Sequence, residues 1–161
     1  MVCIMNELLE LEVGMKVLEV GAGSGYHAAT IAEIVAPEDV DRKYWGHVFT
    51  IEINERLYRF ALENIRKEGY EDRVTVIHGD GSKGLPEEAP FDRILVTAAA
   101  PSIPETLIRQ LKDNGILVIP VGRPDWFLQS LIRVRKKGEK IIEEFHGHVA
   151  FVPLRGEYGW K

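Results

Sequence analysis

Cysteine is almost missing from these 161 residues: Cys3 is the single one, which excludes an internal disulfide and fits a reducing compartment. Long apolar runs and a leader pattern are lacking too, so neither a membrane span nor a signal peptide is expected. Positive charge is in deficit. The 20 Lys and Arg stand against 25 Asp and Glu, a net charge of −5, and no basic face of the kind that binds nucleic acid is evident. Gln (two) and Asn (four) are scarce beside Glu, Lys, Arg and Ile, which leans thermophilic. What is present is globular: 45% hydrophobic and 28% charged residues, enough for one domain with a real core and too few for two ordinary ones. The composition reads as a soluble cytoplasmic single domain over 1–161.

Apolar residues follow two alternating periods. "KVLEVG" (16–21), "GHVFTIEI" (46–53), "RVTVIHGD" (73–80), "FDRILVTAA" (91–99) and "GILVIPVG" (115–122) are short β-branched runs that read as buried strands. Between them "YHAATIAEIV" (26–35), "NERLYRFALENIRKEG" (54–69) and "PETLIRQL" (104–111) repeat at helical spacing, with Asn54 as N-cap and Gly69 as the stop of the second helix. Two more strand-like runs, 127–135 and 140–152, flank a "KKGEK" turn, and 36–45 reads as a loop insertion. This alternation predicts an α/β fold: a doubly wound, mostly parallel seven-stranded sheet with helices on both faces and an antiparallel C-terminal hairpin. Such a sheet binds its ligand at the carboxyl ends of its strands, where strand order reverses. The segments to inspect are therefore 21–25, 52–54, 79–81 and 97–101.

The first of them, "EVGAGSGY" (19–26), departs from the dinucleotide fingerprint G-x-G-x-x-G: Gly25 comes one place early and Tyr26 stands where the third glycine belongs. A tyrosine there hinders the close approach that a pyrophosphate uses. The pattern acid-x-G-x-G-x-G instead resembles motif I of class I S-adenosylmethionine-dependent methyltransferases, whose Rossmann-like fold wraps the turn around the amino-acid and ribose parts of a cofactor with no phosphate. Glu52, at the end of the second strand, is an acid where a ribose diol needs a two-pronged acceptor. Its separation from the turn exceeds the usual gap of about 20 residues, and the 36–45 insertion accounts for the excess. Asp80, between glycines at the end of the third strand, is suited to accept from an adenine amino group.

The second half narrows the family. "GDGSKGLPEEAPFDRILVTAAAPSIPETLIRQLKDNGILVIPVG" (79–122) and "HVAFVPLRGEYGW" (148–160) closely resemble protein-L-isoaspartate O-methyltransferase, and the resemblance runs from Met1 to Trp160. It implies methyl transfer from S-adenosylmethionine to the α-carboxyl of L-isoaspartyl residues in damaged proteins. Carried over by position, it implies that Glu19, Gly21, Ala22, Gly23, Gly25, Glu52, Ile53, Asp80, Gly81 and Thr97 hold the cofactor. Ala98, Ala99 and Pro101 would line the isoaspartyl site, with Ala150 and Val152 offering backbone groups to an extended substrate. A carboxylate is already a nucleophile, so no covalent enzyme intermediate is required.

One departure bears on catalysis. The family carries an N-terminal region ending in a segment like T-x-S-x-P-H-M-V-A-x-M, whose serine is the usual catalytic assignment. Met1 here falls on that segment's internal methionine, and Ser24, Ser82, Ser102 and Ser130 lie off the motif, so the expectation is an N-terminally truncated domain with a cofactor site and no catalytic serine. A bared apolar face favouring self-association would follow. Two other readings stand beside the main one: a cofactor-binding module without turnover, and a class I methyltransferase with another substrate, such as a small molecule or RNA.

The remaining candidates have plainer readings. His146 and His148 would share one strand face, but a third metal ligand at suitable spacing is missing and no metal site is expected. His27 is expected at the cofactor edge or in solvent; His47 and His78 are structural, and Cys3 is a buried, inert thiol. The run 133–140 reads as an exposed hairpin turn rather than an RNA contact. Trp45, Trp126 and Trp160 are explained by loop and core packing, and Asn114-Gly115 is a turn signal.

Overall fold

The apolar runs hydrogen-bond into a single sheet, as seen in a computed structural model that describes residues 1–123 and 128–161. The strands are β1 (Lys16–Val20), β2 (His47–Glu52), β3 (Val74–His78), β4 (Phe91–Val96), β5 (Leu111–Val121), β6 (Gln129–Lys137) and β7 (Lys140–Val149). Their spatial order is β3-β2-β1-β4-β5-β6-β7. The pairs from β3 to β5 are parallel, and β5–β6 and β6–β7 are antiparallel, as the sequence predicts. In the central β1, four of five residues are buried, because helices cover both faces. The tight turn at Gly138 folds β7 directly back on β6, and it is β6 that pairs with β5, which leaves β7 at the sheet edge.

Helices α1 (Val2–Leu9), α2 (Tyr26–Val35) and α3 (Glu55–Lys67) lie on one face and the short α4 (Glu105–Arg109) on the other. Each supplies a narrow apolar stripe: Ala28, Ile31, Ala32 and Val35 from α2, Ala61 and Ile65 from α3, Leu107 from α4. Asn54 caps α3 as expected, its Oδ1 accepting from the Leu57 amide at 3.1 Å, and Gly69, at φ 77°, ends it. The 36–45 loop closes on Trp45, whose indole N–H donates to the Pro37 and Val40 carbonyls at 2.8 and 3.0 Å. Trp126, and the first residue of the predicted 127–135 strand, lie outside the described residues.

Several expectations are corrected. α1 was not anticipated, although Met5 and Leu9 stand four apart and both are buried. It packs on β4 and β5 and so covers sheet that was expected to be bare; what stays exposed is its outer face, with Met1 and Ile4 about half accessible. Cys3 is on that outer face and exposed, not buried, because the stripe that faces the core runs through Met5 and Leu9. Buried Arg93 fixes the helix end by donating to the Leu9 carbonyl, and to the Glu10 carbonyl at 3.2 Å, a cation on the negative end of the helix dipole. The Glu10 carboxylate in turn pairs with Arg133 and Arg135 of β6.

The helix predicted over 104–111 ends at Arg109, and β5 begins at Leu111 rather than 115. The register of β5 on β4 slips over Lys112–Gly115, where Asn114 takes the left-handed φ of 61°. In β7 an extra residue at the Gly147 bulge breaks the two-residue alternation that would have paired His146 with His148. His146 instead neighbours Glu144 at 3.6 Å, and His148 packs edge-on against Phe145.

Candidate active site

Strand order reverses between β1 and β4, and the crevice there is built by the glycine turn. The Thr97 hydroxyl donates to the Gly21 carbonyl at 2.7 Å, and its amide donates to the Val20 carbonyl at 3.0 Å. Gly21 sits at φ 99°, and a Cβ on it would stand 2.4 Å from Thr97 Oγ1, so only glycine fits this junction. Turn and strand end lock each other, and Gly25 then starts α2.

This turn divides two cavities. The first, about 310 Å³, is lined by Gly21, Gly23, Glu52, Ile53, Leu57, Gly81, Thr97 and Ala98, and by residues 152–155. The second, about 260 Å³, is lined by Met1, Met5, Glu19, Ala22, His27 and Phe151 and shares Gly21, Gly23 and Thr97. Of the residues predicted from motif I, Glu19, Gly21, Ala22 and Gly23 border these spaces, whereas Gly25 faces a separate groove between α2 and α3.

Glu52 is 7% exposed, and its two oxygens accept from the Gly23 and Asn54 amides at 3.1 and 3.0 Å. The carboxylate therefore ties the glycine turn to the end of β2 and keeps lone pairs toward the first cavity, a fit for a vicinal diol.

Glu19 lies at the second cavity, wholly buried. Its Oε2 accepts from the Thr50 hydroxyl at 2.6 Å, while Oε1 has no hydrogen-bond partner. Burial raises its pKa to about 8, opposed by the Thr50 bond and assisted by the charge of Glu52. The ring of His27 stands 3.9 Å away, and the surrounding bonds fix its tautomer. Thr30 spends its hydroxyl proton on the His27 carbonyl, so it accepts from the Asn6 amide at 3.2 Å. Asn6 Oδ1 therefore faces His27 Nε2, which donates at 2.9 Å and leaves the Nδ1 lone pair toward Glu19. Burial holds His27 down at about 4. Both shifts favour neutral partners, so at neutral pH the pair holds one proton, on Glu19. An orphaned buried carboxyl oxygen facing a cavity fits a cationic group such as an ammonium.

Asp80 has a different setting. Its Oδ1 accepts from the Ser82 amide and hydroxyl at 3.0 and 2.6 Å, and its Oδ2 from the Glu157 amide at 2.8 Å. Burial pushes its pKa up, but these bonds and Lys83 outweigh that and hold it below the usual carboxylate range. The residue predicted for adenine contact thus also anchors the C-terminal tail.

The predicted substrate wall comes together only in part. Ala99 pairs with the tail through both backbone groups, its amide donating to the Val152 carbonyl and its carbonyl accepting from the Leu154 amide, each at 2.8 Å. The Val152 carbonyl is therefore taken, and the side chain is 70% exposed. Ala98 lines the first cavity, while Pro101 and Ala150 are exposed and do not line it. Residues the sequence reading missed include Met5, Asn6, Leu57 and Ser82. The i, i+4 spacing of Met5 and Leu9 was the available signal for α1; nothing in the sequence marks Asn6 or Ser82 as partners of distant groups.

A family model described as protein-L-isoaspartate(D-aspartate) O-methyltransferase matches residues 1–159. The chain is 60% identical over 161 residues to a protein-L-isoaspartate O-methyltransferase of Korarchaeum cryptofilum, covering all of itself and 73% of that relative. It is 57% identical over 162 residues to the Hyperthermus butylicus protein of the same name, of which it spans 66%. Among solved structures, one titled protein-L-isoaspartate O-methyltransferase superposes with a TM-score of 0.85 at 30% identity, over 98% of this chain and 47% of that one. A Plasmodium falciparum structure, titled as a putative protein-L-isoaspartate O-methyltransferase in complex with S-adenosyl-L-homocysteine, gives 0.77 at 30% identity, over 96% and 71% of the two chains. The chain belongs to the protein-L-isoaspartate O-methyltransferase family.

Proposed function

We propose that this chain binds S-adenosylmethionine across the β1/β4 crevice and transfers its methyl group to the α-carboxyl of L-isoaspartyl residues. The observation that carries the reading is the pair of acids on either side of the glycine turn. Glu52 meets the first cavity, suited to the ribose diol, and the orphaned Glu19 oxygen meets the second, suited to the methionine ammonium. Ile53 and Leu57 give the first cavity an apolar wall for the adenine, and Gly81, next to Asp80 in the chain, lines it too. The cofactor brings a methyl group already activated on a sulfonium. The protein's part is to hold the substrate carboxylate in line with that methyl and to exclude water from it. Residues 98–101 and 150–154 are the wall that would do so. In this reading the chain is one methyltransferase domain, cytoplasmic and thermophilic in character, with damaged proteins as partners. Exposed Met1 and Ile4 are its surface for self-association, and a concentration-independent monomer in light scattering would count against that last element.

A second reading, cofactor binding without turnover, is favoured by one observation. Among the described residues of the substrate wall, the Thr97 hydroxyl is already donated to the Gly21 carbonyl, and the alanines and Pro101 bring no side-chain donor for a carboxylate. The deciding experiment is transfer of labelled methyl to an isoaspartyl peptide, with the aspartyl isomer as control and S-adenosylhomocysteine binding measured alongside. Label on the isoaspartyl peptide alone supports transfer. Binding without label selects the second reading, and label on nucleic acid but not on peptide would replace the substrate class.

A further inference from the structure

The segment after β7 is fastened at two places. Near β4 it is held by Ala99, through the backbone pairing to Val152 and Leu154 and through the Trp160 indole N–H, which donates to the Ala99 carbonyl at 3.0 Å. Beyond Arg155 it is held by the turn after β3. There the Glu157 amide donates to Asp80 Oδ2 at 2.8 Å, and the Tyr158 amide donates to the Ser82 hydroxyl at 3.1 Å. Ser82 is wholly buried, and its hydroxyl proton goes to Asp80 Oδ1. The hydroxyl is thus a donor toward Asp80 and an acceptor toward the tail. Gly156 has φ 132°, and a Cβ there would stand 2.0 Å from Asp80 Oδ1, so backbone rests directly on the carboxylate. Residues 152–155, which include the pairing to Ala99, line the first cavity together with Glu52 and Gly81.

We propose that Ser82 is a positioning residue for the substrate wall: through Asp80 and the Tyr158 amide it couples cofactor occupancy of the first cavity to the seating of the tail, and so to the affinity for the isoaspartyl peptide. The proposal rests on the function proposed above. Gly81 lines the first cavity, so a ligand there meets the backbone between the Asp80 carboxylate and the Ser82 hydroxyl that hold the tail. The Lys83–Glu157 ion pair lies outside this latch, with both partners about half exposed, and is expected to add little.

The experiment measures isoaspartyl-peptide affinity with and without saturating S-adenosylhomocysteine, together with hydrogen exchange at the amides of Glu157 and Tyr158. In the unaltered chain the cofactor product is expected to tighten peptide binding about tenfold, within the usual range of coupling between sites, and to slow exchange at both amides. Ser82→Ala, and Gly156→Ala from the tail side, are expected to bring the coupling below about twofold and to abolish the slowing at Tyr158. Affinity for S-adenosylhomocysteine alone should stay within about threefold in Ser82→Ala, less than the coupling lost, whereas Gly156→Ala, whose Cβ meets Asp80, should weaken it as well. Glu157→Gln, which removes the exposed ion pair with Lys83 and keeps the Glu157 amide bond to Asp80, is expected to retain the coupling. Full coupling and full protection in Ser82→Ala would overturn the proposal, as would amides in the unaltered chain that ignore the ligand. A chain that binds S-adenosylhomocysteine but no isoaspartyl peptide would defeat the transfer reading, and the exchange measurement would still decide the latch.

Discussion

The Glu19–His27 pair makes stability depend on pH in a way that separates it from every surface carboxylate. Glu19 titrates at the ordinary 4.5 when unfolded and at about 8 when folded, so it costs stability as pH rises between these values. His27 titrates at 6.5 when unfolded and at about 4 when folded, so it costs stability as pH falls between them. From pH 4.5 to 6.5 the two effects oppose each other. The proton that the unfolded chain carries on histidine is carried by the folded chain on glutamate, and folding takes up almost none. Above 6.5 only Glu19 still responds, and folding then requires proton uptake. The loss over the remaining interval to about pH 8 is of the order of 2 kcal/mol, at about 1.4 kcal/mol per pKa unit. Both side chains are at most a tenth exposed, so solvent screening leaves most of that intact. Urea denaturation at constant ionic strength should show a plateau near pH 5–6, a fall between 6.5 and 8, and a flat region beyond. Glu19→Gln keeps an acceptor for Thr50 and removes the titration, so its curve should lack the fall. Parallel profiles for the two chains across pH 6.5–8 would refute the assignment of the proton to Glu19.

The same proton should appear in binding. If Glu19 receives the cofactor ammonium it must ionise, so S-adenosylhomocysteine affinity is expected to weaken by up to about tenfold for each unit of pH below 8. Calorimetry in buffers of different ionisation enthalpy should show proton release. Gly21→Ala forces a Cβ into Thr97 at a left-handed φ. It should cost roughly 2–4 kcal/mol of stability in thermal unfolding, and at least about tenfold in cofactor affinity. Arg93→Met leaves the Leu9 and Glu10 carbonyls uncapped beneath α1. A loss of about 1–3 kcal/mol is expected, together with faster hydrogen exchange confined to residues 2–10.

The sheet was legible because its strands are continuous β-branched runs bounded by glycines, and because buried parallel strands leave that signature with little interference. The hairpin was legible from "KKGEK". What the sequence hid was of two kinds. α1 is short and mixes exposed Ile4 and Cys3 with buried Met5 and Leu9, so its period competes with noise over only eight residues. The β5 start and the Gly147 bulge arise from register, which is set by neighbouring strands rather than by local preference. Among the candidate site residues, the segments of Glu52, Asp80 and Thr97 followed from topology, and Glu19 from the resemblance of the glycine turn to motif I. Their partners did not, since Thr50, Asn6, Ser82 and the Glu157 amide reach them from distant segments.

Those partners change what the acids are for. Glu52 and Asp80 read in sequence as groups waiting for a ligand, yet both are already hydrogen-bonded to backbone amides, and Thr97 is spent on the glycine turn. Each polar residue at a strand end therefore holds its loop in place before any ligand arrives. A ligand that uses Glu52 takes up remaining lone pairs and need not order a loose segment, so little conformational entropy is lost at that end of the crevice, while at Asp80 the ligand shares a carboxylate with the tail. Glu19 is the exception, with one buried oxygen left unpaired and a proton in place of a partner. Electrostatic strain in this crevice is thus concentrated at one atom, and a cation placed there would relieve it. On the function proposed above, that is why the cavity behind the glycine turn, rather than the larger groove between α2 and α3, would take the charged end of the cofactor.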